Sequence, residues 1–214
     1  MILGIDAFNI SRGGGLTHLV EFLSEANPSK HGFDKVIIWG NLKVLNKIEN
    51  KDWLQKENVP MLNKGLLYRI FWHQLIQAYT AKKNCCDIVF APGGVALSGF
   101  SPIVTMSRNM LPFEWKELKR FGFSMLTFKL IILHFTQLRS FKKANGLIFL
   151  TRYAKEIISK HNSIKKTQLK IIHHGVNPIF LNLVNIIKIK ILTGLTPVKF
   201  YMSQTLHLTN INGT

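Results

Sequence analysis

The chain is poor in cysteine, in acid and in uninterrupted apolar sequence, and each shortage excludes something. Its two cysteines are the neighbours Cys85 and Cys86, and adjacent residues reach disulfide geometry only by straining the peptide between them. No Cys-x-x-Cys or Cys/His ligand spacing exists, so a structural zinc site is not expected and a reducing compartment is. There is no Asp-x-Asp either, and no metal is expected in catalysis. Asp+Glu number 11 against 28 Lys+Arg, for a net charge of +17. Beyond Glu156 there is no acid at all. Such a balance favours anionic partners: nucleotide phosphates, nucleic acid or acidic lipid. The longest apolar stretch, Phe121 to Leu138, is broken by Lys129 and His134, so no bilayer span of about 20 clean residues is expected. The amino terminus lacks the basic and long apolar regions of a signal peptide, and a cytoplasmic location is expected. Peripheral attachment to the inner face of the membrane stays open.

What the chain does have is a regular alternation of apolar runs and helical rhythms, with 47% hydrophobic residues. It opens on an apolar run, Ile2 to Ile5, then Asp6, a loop, and the triplet Gly13, Gly14, Gly15. Leu16, Leu19, Val20 and Leu23 then recur at the spacing of one buried helical face. A strand, a glycine turn and a helix are expected. Such a turn lets backbone N–H groups and the positive end of the helix dipole approach a phosphate or sugar hydroxyl without a Cβ in the way. A tight connection without a ligand fits the same letters. Neither the dinucleotide Gly-x-Gly-x-x-Gly nor a P-loop motif is present.

Further strands are expected at Lys35 to Trp39, Val59 to Leu62, Asp87 to Phe90, Ile103 to Met106, Leu147 to Leu150 and Lys170 to His174. Helices are expected as one short piece within 42–58, then at Leu66 to Lys82, Gly122 to Lys143 and Tyr153 to His161. In the second of these Leu67, Ile70, Phe71, Leu75, Ala78 and Tyr79 set the rhythm. Strands alternating with helices in this way predict an α/β, Rossmann-like, doubly wound parallel sheet. Ligands in such sheets collect at the carboxyl ends of the strands. The unusual loops converge there: Gly13 to Gly15, Pro92 to Gly94, Ser107 to Glu114, Thr151 with Arg152, and Gly175 to Asn177.

Gly4-Ile-Asp-Ala7 with the glycine triplet, Asp87-Ile-Val-Phe-Ala-Pro-Gly-Gly94, Phe149-Leu-Thr-Arg-Tyr-Ala-Lys-Glu-Ile157 and Ile171-Ile-His-His-Gly-Val-Asn-Pro178 occur in that order. Together they resemble the amino-terminal domain of the retaining family 4 glycosyltransferases of GT-B fold, over residues 1 to about 180. The resemblance implies transfer of a sugar from a nucleotide-diphosphate donor to a saccharide acceptor; no cofactor is expected. It implies that Gly13, Gly14 and Gly15 lie near donor phosphates and acceptor, that Thr151 and Arg152 open a helix beside the cleft, and that the Gly-Val-Asn stretch leads into a second domain. Many members carry His-Asp or His-Asn where this chain has Arg108-Asn109. Arg108 remains able to contact a phosphate, and no catalytic residue is assigned.

In that family the second domain supplies a Lys/Arg pair on the diphosphate and two glutamates seven residues apart. Here residues 181–214 are too few for such a domain core and contain no acid. They are read as the remnant of a lost second domain rather than a short adaptive tail, and the chain alone is expected to be inactive. The missing domain is its intended partner. The alternative, from another class, is a non-catalytic binding or membrane-surface module. Phe121, Phe123, Phe128 and Phe135 beside Lys119, Arg120, Lys129, Arg139, Lys142 and Lys143 suit an anionic interface. Nucleic acid as a partner has only charge in its favour and is not expected.

Single residues carry two readings each. Asp6 could orient an acceptor hydroxyl or close a turn. His18 lies in the first turn after the glycines and reads as a surface histidine. Glu114 and Glu117 suit a helix start. His173 and His174, adjacent in a strand, face opposite sides and cannot share a metal.

Overall fold

The computed structural model describes residues 1–160, Ile164, 169–173 and Gly175. The chain divides into a unit Met1–His173 and a unit His174–Thr214, and the sheet with its helices belongs to the first. The expected boundary near 180, the tail beyond it, and the Val176 to Pro178 part of the last motif lie outside the described residues, as does His174.

Among the described residues seven strands form one all-parallel sheet: β1 Ile2–Asp6, β2 Lys35–Gly40, β3 Leu54–Asn58, β4 Ile88–Ala91, β5 Ile103–Ser107, β6 Gly146–Phe149 and β7 Leu169–Ile171. Their spatial order is β3-β2-β1-β4-β5-β6-β7. From β1 the connections run one way and from β4 the other, which is the doubly wound, Rossmann-like arrangement expected. The crevice between the carboxyl ends of β1 and β4 is the topological switch point where such sheets receive ligands.

The apolar runs are continuous because both faces are covered. In β2, Val36 and Ile38 pack with Ile5 and with Leu16, Leu19 and Leu23 of helix α1, Gly14–Glu25. Ile37 and Trp39 point the other way, into a cluster with Val89, Ala91, Trp72 and Ala81. Cross-strand register carries that second face onward: Val89 pairs Ile103, and Thr105 pairs Leu147. Leu147 and Phe149 there meet Phe141 and Ile158. Gly4 is needed on this face. A Cβ there would stand 2.6 Å from Cη2 of the Trp39 ring, whose Nε1 donates to Glu57 at 2.6 Å.

The remaining helices are α2 Leu42–Leu45, α3 Leu66–Phe71, α4 Gln77–Lys83, α5 Trp115–Arg120, α6 Met125–Lys143 and α7 Arg152–Ser159. Several expectations are corrected. The strand expected at Val59 to Leu62 is instead the preceding Leu54–Asn58, followed by a 3-10 turn at Pro60–Asn63. Pro60 cannot donate to a ladder, and an edge strand tolerates the polar Gln55, Lys56 and Glu57. The helix expected from Gly122 starts at Met125, because Gly122 takes φ +57° and Ser124 caps the Thr127 N–H at 3.2 Å. The last strand ends at Ile171, and His173 donates from Nδ1 to the Leu150 carbonyl outside it. The expected helix Leu66 to Lys82 is α3 and α4 joined by a π turn, Trp72–Ile76. Its rhythm-setting side chains Leu67, Phe71, Leu75 and Tyr79 are exposed, while Trp72, His73, Gln77 and Ala81 are buried.

Candidate functional site

The geometry at the switch point begins with Asp6, the last residue of β1 and fully buried. One carboxylate oxygen accepts the Phe8 N–H at 3.1 Å, and the other accepts His73 Nδ1–H at 2.8 Å. His73 Nε2 accepts the Leu97 N–H at 2.9 Å, which defines the tautomer: Nδ1 carries the proton and Nε2 is bare. The Phe8 ring stacks on His73 with centroids 4.1 Å apart and planes 10° apart. Of its two readings, Asp6 therefore follows the turn-closing one, and through His73 it ties the loop after β1 to the loop after β4. His73 escaped notice in the sequence because it sits among apolar neighbours. The signal was there, as a histidine in an apolar helix needs a buried partner.

Beside this scaffold lies the glycine turn. Gly13 takes φ 69° and ψ −162°, a region essentially reserved for glycine. No side chain caps α1 and no acid occupies its first turn; the Leu16 N–H donates to the Gly13 carbonyl at 2.9 Å, which leaves the Gly14 and Gly15 N–H groups for a ligand. Gly14 has open space where a Cβ would be. Gly15 does not: a Cβ there would lie 2.6 Å from Nη1 of Arg108. The guanidinium that follows β5 thus reaches across β4 and lies on the start of α1. Among the described residues its buried Nη1 has no hydrogen-bond partner and none of the ion pairs includes it. Burial pushes the Arg108 pKa down from its ordinary value, the mark of a cation held partly out of water without a counter-ion.

The β4 exit loop is packed against two amide side chains. Asn9 Nδ2 donates to the Gly93 carbonyl at 2.9 Å, while its Oδ1 is buried and unpartnered. Gly94, at φ +80°, admits Gln137 of α6, whose Nε2 would stand 2.8 Å from a Cβ there. Gln137 Oε1 is likewise buried and unpartnered. The carboxyl edge of the sheet therefore brings together a cation and a helix amino terminus, while the Asn9 and Gln137 amides are packed inside against Gly93 and Gly94. An anion satisfies that combination.

The other expected site residues are less directly engaged. Asn109 turns back to accept the Leu111 N–H at 3.1 Å. Thr151 caps α7, accepting from Ala154 N–H at 3.0 Å, and Arg152 is exposed. Both follow β6, three strand spacings or about 14 Å from β1, on the same edge of the sheet. Tyr153 donates its hydroxyl to Glu114, which raises the Tyr153 pKa and joins the loops after β5 and β6. Glu117 pairs with Arg120 at 2.9 Å, and His18 stacks on Phe22. An apolar cavity of about 350 Å³ lies elsewhere, among Leu3, Phe22, Phe33 and Trp53. It touches no site residue. Among the described residues no three His, Cys, Asp or Glu side chains are grouped to hold a metal ion.

Comparison of the chain with models of protein families and with curated proteins finds no match.

Proposed function

We propose that residues 1–173 form the acceptor-side wall of a glycosyltransferase that uses a nucleotide-diphosphate sugar, the family 4 activity that the motifs resemble. The observation that carries this reading is the unpaired Arg108 guanidinium lying on Gly15 at the start of α1. Arg108 and the α1 N–H groups would hold a phosphate, with charge-assisted hydrogen bonds of about 1.5–3 kcal/mol each. The chemistry available to such a wall is positioning and relief of charge on the departing diphosphate. Asp6 and His73, the titratable pair nearest the crevice, are committed to each other and to backbone N–H groups and take no part in proton transfer. A second wall, with its own cations and carboxylates, would complete the site and exclude water.

The test is calorimetric titration of the 214-residue chain with UDP, inorganic pyrophosphate and an uncharged methyl glycoside. Expected are weak binding of both diphosphates and at least a tenfold loss in Arg108→Gln. Diphosphate affinity unaffected by Arg108→Gln would remove the basis of the reading.

A further inference from the structure

Helix α6 is amphipathic in an inverted sense. Its inner side buries Leu130, His134, Gln137 and Phe141. At 100° per residue, Met125, Phe128, Ile132 and Phe135 form a stripe on the opposite side. All four are exposed, Phe128 by 60% and Phe135 by 62%. The stripe continues into the turn before the helix. There Gly122, at φ +57°, sets Phe121 and Phe123 outward, the latter wholly free of the protein at 115% exposure. Trp115 of α5 stands half exposed on the approach to this turn.

An apolar face of this extent on a soluble surface marks an interaction site, and its charges indicate with what. Between Glu117 and Glu156 the sequence holds no acid, whereas Lys116, Lys119, Arg120, Lys129 and Arg139 are all exposed around the stripe. A protein partner would have to supply acids at each of these positions. A leaflet of anionic lipid supplies negative charge everywhere at once, and aromatic side chains settle at its headgroup level. Among the described residues no helix is long and apolar enough to cross a membrane, so the mode is lying on the bilayer. A second outward stripe, Leu67, Phe71 and Leu75, belongs to the helix on the same side of the sheet. The two helices are joined through residues 97–99: Lys143 Nζ donates to the Leu97 and Ser98 carbonyls, and a Cβ at Gly99 would be 3.8 Å from Ala78.

We infer that the α5–α6 turn and the outer face of α6 dock on an anionic lipid bilayer, with Phe121, Phe123 and Phe128 entering the interface and the flanking lysines and arginines on the headgroups. This docking face is independent of the diphosphate site.

The experiment is sedimentation of the full chain with vesicles of neutral phosphatidylcholine, with and without about one third phosphatidylglycerol, at two salt concentrations, with tryptophan emission as a second readout. Expected are at least tenfold stronger partitioning to the anionic vesicles, weakening with salt, and a blue shift of the tryptophan emission that Trp115→Phe removes. Phe123→Ser/Phe128→Ser should lose about tenfold or more, and Lys129→Glu/Arg139→Glu should abolish the preference for anionic lipid. These positions are exposed, and unchanged far-UV circular dichroism and UDP affinity would confirm that the variants fold. Absence of vesicle binding overturns the inference, as does binding that survives the double phenylalanine change, which would mean adsorption by net charge alone. Phenylalanine-dependent dimerisation without vesicle binding would instead assign the face to a second copy of the chain.

Discussion

Replacing Gly15 with alanine separates the anion site from the stability of the fold. The new methyl carbon would start 2.6 Å from Nη1 and 2.9 Å from Nη2 of Arg108. Since atoms of this kind pack at about 3.5–4.0 Å, the guanidinium must retreat by about 1 Å. That retreat is cheap for the fold, because the obstacle is the end of a flexible side chain and the cation moves toward water. Alanine is also a better helix residue than glycine, by up to about 1 kcal/mol. The variant should therefore melt no lower than the parent, and up to a few degrees higher. Binding should move the other way. Loss of one charge-assisted hydrogen bond at about 1.5–3 kcal/mol corresponds to about 10- to 150-fold weaker UDP or pyrophosphate. Calorimetric titration beside a thermal melt measures both. Undiminished diphosphate affinity in Gly15→Ala would refute the placement of the anion at this contact. A fall in melting temperature would refute the claim that Arg108 is free to yield.

Other positions carry expectations of the same kind. Gly4→Ala drives a methyl into the buried Trp39 ring, and overpacking of this kind costs about 1–3 kcal/mol, readable as a lower urea midpoint at unchanged slope. His73→Leu leaves the buried Asp6 carboxylate and the Leu97 N–H unpaired, so a loss of about 3–5 kcal/mol is expected by chemical denaturation; less than 1 kcal/mol would contradict the buried pair. Burial, followed by the nearby Glu57 and Asp87 charges, pushes the Cys86 thiol up to about 11. A folded-state pKa above the unfolded value near 9 favours the fold below pH 9, and this contribution disappears as the pH rises to 11. Wild type should therefore lose more stability over that window than Cys86→Ala. At pH 8 a thiol reagent should modify the exposed Cys85 rapidly and the buried Cys86 only on unfolding.

The elements themselves were legible wherever one signal dominated. The runs in β1, β2 and β5 are apolar at successive positions because each is buried on both faces, and the leucines of α1 keep a strict helical period. β3 was missed because an edge strand buries little, so Gln55, Lys56 and Glu57 carry no apolar signature. Gly13 was marked as special by its letter alone, since its φ and ψ admit little else. Gly15 was marked by the same letter, but its reason is Arg108. That contact exists only because β1, β4 and β5 lie side by side, and strand order is a property of the whole sheet.

The helix between β3 and β4 shows most clearly what tertiary structure decides. By pattern, Leu67, Phe71 and Leu75 belong inside, and each would contribute about 1.5–3 kcal/mol on burial. The structure turns them out and takes in His73 and Gln77, with a π turn at that point. The sequence determined that this segment is a helix, because its residues favour one and no proline interrupts it. Which side faces the sheet was decided by Asp6. A carboxylate oxygen buried at a strand end without a donor would cost several kcal/mol; the Phe8 N–H serves one Asp6 oxygen, and His73, reaching across the packed interface, serves the other.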